Sequence, residues 1–208
     1  MLPHEFEQRT AEWLSFRLGK LTASRMADVL ATTKSGPSAT RKNYLAQLVA
    51  ERLTGTQGES FTNAAMQWGT EMEPLARAAY EMFIDDLVDQ TGFVDHPSIA
   101  WCGASPDGLV NDSGLVEIKC PSTATHIDYL LSGEVPSKYE PQMALQLLCT
   151  GRKWCDFVSY DPRMPEEHRL FVVRFTPATE YLAKVETEAK KFLAEVDETI
   201  KRLNERKK

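Results

Sequence analysis

The chain has 208 residues, 42% of them hydrophobic and 26% charged, and its formal net charge is −6 at pH 7. These values are those of an ordinary globular protein with room for one α/β domain, and no apolar run reaches the roughly 20 residues that cross a bilayer. The acidic total does not exclude a nucleic-acid ligand, because binding depends on where the charges lie rather than on their sum.

The first residues and the cysteines give no targeting or redox signal. Residues 1–10 carry acids and no apolar stretch, so we expect no signal peptide and a cytoplasmic location. The cysteines are too scattered for a disulfide framework, a zinc site or an iron–sulfur cluster, and we expect reduced thiols in or near the core. The histidines fit no catalytic spacing. The cysteines are Cys102, Cys120, Cys149 and Cys155, and the histidines are His4, His96, His126 and His168.

The N-terminal part is predicted to be mainly helical. Residues 7–30 are expected to form a helix, a turn and a second helix that Thr22 or Ser24 would cap, and basic side chains such as Arg17 are dense there. Residues 31–40, rich in Ser, Thr, Gly and Pro, are predicted to be a mobile basic loop.

Helical spacing returns over residues 43–53, which Gly55 would end, and over residues 64–87. Pro74 should kink the second of these helices or mark a restart. Its acidic end, residues 81–89, should face solvent, and residues 58–63 are predicted to be a linker.

The middle of the chain changes to short β-type runs separated by Gly, Pro, Asn and Asp. A tight turn is predicted at residues 111–114, and helices at residues 123–131 and 139–149. Residues 177–208 show one long apolar stripe with helical period. One mixed α/β domain, residues 1–208, fits this order. The predicted strands are residues 93–94, 99–102, 108–110, 115–120, 154–160 and 170–175.

One segment carries recognisable chemistry: Ser105-Pro106-Asp107-Gly108, followed by Glu117-Ile118-Lys119. It matches P-D, a gap of nine residues, then E-x-K. On a hairpin, Asp107 would open the first strand, and Glu117 and Lys119 would share one face of the second because they are two residues apart. Two carboxylates and an ammonium would converge on a cleft floor, with apolar side chains of the same strand buried beneath.

Phosphodiester hydrolysis needs this combination of groups. Carboxylate oxygens suit magnesium, and a bound metal polarises the phosphate and lowers the pKa of an attacking water. Lys119 would orient that water or stabilise the transition state, at a position where its proton affinity could fall. The plain structural interpretation is a turn at Asp107 with Glu117 and Lys119 as an exposed pair.

Further motifs in the same order resemble the phage lambda exonuclease family, the YqaJ-type viral recombinases. The resemblance covers roughly residues 9–195. The matching elements are R-L-G-x-x-T-A-S from Arg17, Trp68-Gly69-x-x-x-Glu73, Glu117-Ile118-Lys119-Cys120-Pro121, Tyr139-x-x-Gln142 with Gln146, and Tyr160-Asp161-Pro162-Arg163-Met164.

This resemblance implies a restriction-endonuclease-like PD-(D/E)xK core, a mixed sheet flanked by helices. It implies a processive exonuclease with two magnesium ions per site, manganese being an alternative, that degrades one strand of double-stranded DNA from its 5′ end. The products would be 5′-mononucleotides and a 3′ single-stranded tail. It also implies a homotrimeric ring and a phage single-strand annealing protein as partner in recombination.

The same resemblance assigns roles to single residues. The metal ligands would be Asp107, Glu117, the backbone carbonyl of Ile118, and Glu73. Lys119 would position the attacking water, and Gln142 would help to orient water or phosphate. The pocket for the 5′-phosphate would be formed by Arg17, Ser24 and Ser105, where a guanidinium is well suited.

Plainer interpretations exist for the outer residues. Glu73 could be a helix-start acid, Gln142 and Arg17 surface residues, and Ser24 a helix cap. Two other functions are also compatible with the sequence. One is an endonuclease on the same core, without a preference for 5′-phosphorylated ends, and the other is a non-catalytic DNA-binding scaffold that would not need Lys119.

Overall fold

The structure is a computed structural model that describes residues 7–34, 36–58 and 63–206. His4, most of the predicted linker and the last two residues of the predicted C-terminal helix lie outside these ranges. The helices are α1 (Ala11–Arg17), α2 (Met26–Leu30), α3 (Ala39–Thr54), α4 (Ala64–Ile84), α5 (Thr123–Ser132), α6 (Glu140–Thr150) and α7 (Thr179–Glu205). The strands are β1 (Leu21–Thr22), β2 (Thr32–Thr33), β3 (Gly36–Pro37), β4 (Val88–Asp89), β5 (Val94–Asp95), β6 (Cys102–Ala104), β7 (Gly108–Val110), β8 (Gly114–Lys119), β9 (Trp154–Tyr160) and β10 (Leu170–Phe175).

The larger sheet built by these residues has the strand order β10-β9-β8-β7-β4. β8 pairs antiparallel with β7 and parallel with β9, so the sheet is mixed. β8 is therefore hydrogen-bonded along both edges and cannot shift its register without breaking two ladders. A second sheet has the order β1-β6-β5, and β2 pairs with β3.

Helices cover both faces of the larger sheet. Leu115 and Phe157 pack with apolar residues of α3, α6 and α7 on one face, while Val116 and Ile118 pack against Ala76 and Tyr80 of α4 on the other. Successive side chains of β8 point to opposite faces. The residues of odd number, including Glu117 and Lys119, therefore face the α6 side.

The hairpin between β7 and β8 is fixed by one cation and one close contact. The guanidinium of Arg152 donates to the carbonyl oxygens of Val110, Asn111 and Gly114 around the turn. A Cβ at Gly114 would lie 2.1 Å from the ring of Trp154, so only glycine permits β8 to start against β9. The turn predicted at residues 111–114 is thus present and anchored.

Two short segments predicted to be helical are strands. Leu21 and Thr22 pair with Cys102 and Gly103, so the predicted second helix begins only at Met26, after a 3₁₀ turn. Thr22 makes no side-chain capping bond there. Val88 and Asp89, predicted as the solvated end of α4, form β4 and pair with β7.

α4 runs through Pro74 without a break, although the sequence predicts a kink or restart there. Asp85, in the left-handed region at φ 52°, ends the helix. The region predicted to be a loop before α3 contains the paired strands β2 and β3. No helix in the described part of the chain is long and apolar enough to cross a membrane.

Candidate active site

Asp107 directly precedes β7 and lies beside Ile118, near the end of β8. Its Oδ2 accepts a hydrogen bond from the backbone amide of Ile118 at 2.7 Å, which fixes the carboxylate against the strand that carries Glu117. Burial, together with the nearby charge of Glu117, raises the pKa of Asp107 to about 8. Such crowding of desolvated carboxylates is the electrostatic condition in which a bound cation is favourable.

Glu117 is completely buried, which the sequence did not predict. Two glutamines of α6 donate to its two oxygens: Gln142 Nε2 lies 2.6 Å from Oε1, and Gln146 Nε2 lies 2.6 Å from Oε2. The expected open cleft floor is therefore covered by α6 at this point. Because donors fix both oxygens, the carboxylate is preorganised.

Lys119 forms an ion pair with Glu117 across one face of β8 and is about a quarter exposed. Burial by itself would lower the pKa of Lys119, but the Glu117 and Asp107 carboxylates outweigh it and raise the pKa above its ordinary value. The expected fall in its proton affinity concerns the site with a metal bound, and it stays a prediction. Paired with Glu117, the Lys119 ammonium can donate hydrogen bonds.

Glu73 lies on α4, where it pairs with Arg77 at 3.0 Å and with Arg9. It shares with Asp107 a cleft of about 760 Å³, and its charge helps to raise the pKa of Asp107. The structure thus brings Glu73 to the Asp107 side of the site and gives both its oxygens arginine partners.

No three His, Cys, Asp or Glu side chains within residues 7–34, 36–58 and 63–206 come close enough together to hold a metal ion. Asp107 and Glu117 alone still suit magnesium, which binds one or two carboxylates and keeps several waters. The donor set is composed of oxygens, and Asp107 is held in place by the Ile118 amide. These residues fit the metal that the sequence implies, with Glu73 at the periphery.

A second cleft, of about 570 Å³, brings Arg17 and Ser24 together. It is also lined by Lys20, Arg25 and Tyr44. The Nε of Arg17 is buried and has no hydrogen-bond partner among the described residues, and burial lowers the pKa of Arg17 to about 10. A desolvated guanidinium with a free donor favours binding of an anion.

Ser105, the third residue of the predicted phosphate pocket, does not line this cleft but is joined to it through Trp13. The indole Nε1 of Trp13 donates to Ser105 Oγ at 3.0 Å, and the guanidinium of Arg17 lies 3.7 Å above the Trp13 ring. Ser105 is two residues before Asp107. Trp13 therefore connects the Arg17 cleft to the carboxylate site.

The sequence analysis assigned no role to Trp13, and it named Gln146 only as part of the motif that contains Gln142. No local pattern around Trp13 indicates a contact with a serine 92 positions away. Gln146 carried a weak signal, since it follows Gln142 by four residues and so shares its helix face. Ser24 is close to Thr22, with 3.3 Å between their hydroxyl oxygens, and does not cap a helix.

Asp161, directly after β9, connects the end of that strand to the start of α5 and to Arg163. It is buried and accepts hydrogen bonds from Thr123 and from the guanidinium of Arg163. Burial alone would raise the pKa of Asp161, but the bonds from Arg163 and Thr123 outweigh it and lower the pKa to about 2. Arg163 also reaches the carbonyl of Pro121, just after the catalytic motif.

The described histidines lie apart from these clefts, in keeping with the absence of a catalytic spacing. His126 is fully buried, and its ring nitrogens bond to Ser159 Oγ and the carbonyl of His168 at 2.7 and 2.8 Å. The described cysteines are free and buried.

The model of the YqaJ-like viral recombinase domain matches residues 12–153. The chain belongs to this family. It is 51% identical to the alkaline exonuclease LHK-Exo of Laribacter hongkongensis, with a TM-score of 0.88 over 95% of this chain and 97% of that one. A structure of the same exonuclease in complex with dAMP matches equally well. No curated protein gives a significant match.

A phage-related exonuclease from Haemophilus somnus 129PT shares the fold, with a TM-score of 0.69 over 88% of this chain and 96% of that one, at 15% identity. The expected restriction-endonuclease-like α/β fold is confirmed. Membership of the family supports a nuclease role in recombination.

Proposed function

We propose that the protein is a magnesium-dependent, processive exonuclease that degrades one strand of double-stranded DNA in the 5′-to-3′ direction. The observation that carries this proposal is the β7–β8 hairpin, which sets Asp107, Glu117 and Lys119 at one point. Glu117 is buried and held by two glutamines, an arrangement that an exposed surface ion pair would not require.

The chemistry divides between the ions and the side chains. When bound, two magnesium ions would polarise the scissile phosphate and acidify the attacking water. Asp107, Glu117 and the backbone carbonyl of Ile118 would hold them, with Glu73 completing the second position. Lys119 would orient the water by donating to it and would offset the negative charge that develops on the phosphoryl oxygens.

Gln142 and Gln146 support this reaction indirectly. Both use their amide nitrogens on Glu117, so the earlier expectation that Gln142 touches water or phosphate becomes a positioning role. A carboxylate that is already oriented needs no reorganisation when the reaction proceeds.

The Arg17 cleft supports the proposed direction of digestion. Arg17 and Ser24 would bind the terminal 5′-phosphate there, and Ser105 would support them through Trp13. Water attacks phosphorus and the bond to the 3′ oxygen of the terminal nucleotide breaks, which releases a 5′-mononucleotide. The shortened strand then carries a new 5′-phosphate, the same group that the cleft would bind again.

The resemblance extends the proposal to the assembly. We propose a homotrimeric ring around the DNA in the host cytoplasm, with the 3′ tail passed to a phage single-strand annealing protein. The 51% identity to an alkaline exonuclease along nearly the whole chain supports the reaction.

The test is digestion of a linear duplex that is 5′-phosphorylated at one end only, with magnesium, with manganese and with a chelator. Metal-dependent release of mononucleotides from the phosphorylated strand is expected. Internal cuts would favour an endonuclease on the same core, and metal-independent or absent cleavage would contradict the proposal.

A further inference from the structure

Glu73 is the one proposed metal ligand whose two oxygens are both paired with arginines. Its Oε1 accepts from Arg77 at 3.0 Å, and its Oε2 accepts from Arg9. For Glu73 to bind a divalent cation on the side that it shares with Asp107, at least one of these two ion pairs must break.

The two arginines differ in how firmly they are placed. Arg77 lies one turn further along α4, and its side chain is 13% exposed. Arg9 comes from the segment before α1, and its side chain is 52% exposed. Arg9 also has a backbone φ of 74°, in the left-handed region that non-glycine residues rarely adopt. Arg9 is therefore the partner that a cation can displace.

The neighbours of Arg9 keep its guanidinium close to the site. The amide of Gln8 donates to the carbonyls of Thr91 and Pro106, at 2.9 and 2.8 Å, and Pro106 directly precedes Asp107. On the other side, the Thr10 hydroxyl caps α1. Arg9 thus lies between a residue bound beside Asp107 and the helix that carries Trp13 and Arg17.

We propose that Arg9 is a built-in counter-ion for Glu73 that a divalent cation must displace, and that Arg9 therefore sets the cation affinity of the site. The inference rests on the proposed metal site. Removal of Arg9 leaves the Glu73 carboxylate with one cation fewer, so a divalent ion beside it is attracted more strongly. A residue that only supported the structure of the site would have the opposite effect when removed.

The test is calorimetric titration of the metal-free, full-length protein with Mn²⁺ alone and with Ca²⁺ alone, without DNA. Arg9→Gln is expected to tighten cation binding about two- to fivefold, within the range for a partly exposed charge pair. Arg9→Gly, which suits the left-handed backbone, should do the same and excludes a damaged turn as the cause. Unchanged or weaker binding in both variants overturns the proposal.

Two controls separate the contact from bulk charge. Arg206→Gln removes one positive charge at the end of α7 and is expected to leave the affinity unchanged, and equal tightening there would overturn the proposal. In a Glu73→Gln background the effect of Arg9→Gln should vanish, and its persistence would also overturn it. If the unaltered protein binds neither ion, the proposed metal site itself fails and the counter-ion role fails with it.

Discussion

The region around Glu117 and the cleft around Arg17 differ in whether a buried charged group finds hydrogen-bond partners within the protein. Around Glu117, protein donors reach both carboxylate oxygens, and the strand beneath is paired on both edges. In the second cleft, Arg17 keeps a buried nitrogen with no partner in the described part of the chain and rests on the face of Trp13. The Glu117 carboxylate thus finds its hydrogen-bond donors within the protein, whereas the Arg17 guanidinium keeps a donor that an anion from outside can use.

This difference predicts different consequences of substitution. Changes near Glu117 should cost stability as well as activity, because buried charges lose their partners. Changes in the Arg17 cleft should alter substrate choice and leave stability nearly unchanged. The following substitutions test that division, from the largest expected effect to the smallest.

Lys119→Ala should lower the rate of nucleotide release by roughly 10²–10³-fold, because it removes the only cation placed on the reacting face of β8 among the described residues. Single-turnover digestion of a 5′-phosphorylated duplex measures this. Lys153→Ala, an exposed lysine before β9, should retain the parent rate. Full nuclease activity of Lys119→Ala would contradict a catalytic role for this lysine.

Gln146→Leu should lower the free energy of unfolding by about 1.5–3 kcal/mol, since it removes a hydrogen bond to a buried carboxylate at nearly constant volume. Urea denaturation measures the change. Gln67→Leu, on an exposed turn of α4, serves as the matched control and should shift stability little. Equal effects of the two variants would show that Glu117 does not depend on its glutamine partners.

Asp161→Asn should lower the free energy of unfolding at neutral pH by about 2–3 kcal/mol. This follows from the difference between the pKa of about 2 in the folded protein and the ordinary value of 3.8. A depressed pKa stabilises the fold above the ordinary value and loses that effect as the pH falls through the folded value. The difference in free energy of unfolding between parent and variant should therefore decrease as the pH falls from about 4 towards 2. A constant gap in denaturation experiments across this range would argue against the ion pair as its source.

Arg17→Ala should change the free energy of unfolding by no more than about 0.5 kcal/mol, because the lost stacking on Trp13 is offset by relief of an unpaired buried nitrogen. The same variant should digest 5′-phosphorylated and 5′-hydroxyl duplexes at similar rates. A large loss of stability, together with an unchanged preference for 5′-phosphorylated ends, would show that Arg17 serves the fold rather than substrate choice.

The sequence predicted the parts of the fold that local patterns determine. β9 and β10 have the predicted bounds, and the hairpin that carries Asp107 and Glu117 forms as expected. Gly55 and Gly133 end their helices in the left-handed region. Each of these features depends on alternation, turn residues or helix-ending glycines that lie within a few positions of one another.

The errors that concern β1, β4 and the surroundings of the site have a different origin, since each involves a partner far away in the chain. Leu21 and Thr22 become a strand because β6 lies beside them, and Val88 becomes one because β7 does. Likewise, the contacts of Glu117 with α6 and of Trp13 with Ser105 join distant segments. Single-sequence patterns identify the chemical groups but do not show which of them are buried together.

Pro74 removes one backbone hydrogen bond from α4 without interrupting the helix. Proline has no amide hydrogen, so the carbonyl of Thr70, an exposed residue, loses its helical partner. The first turns of α4 are largely exposed, while Ala76 and Tyr80 anchor the later turns in the core. In hydrogen exchange, amides before Pro74 should therefore exchange faster than those after Tyr80. We therefore expect local unfolding of α4 at the end that carries Trp68, while the later turns stay packed against the sheet.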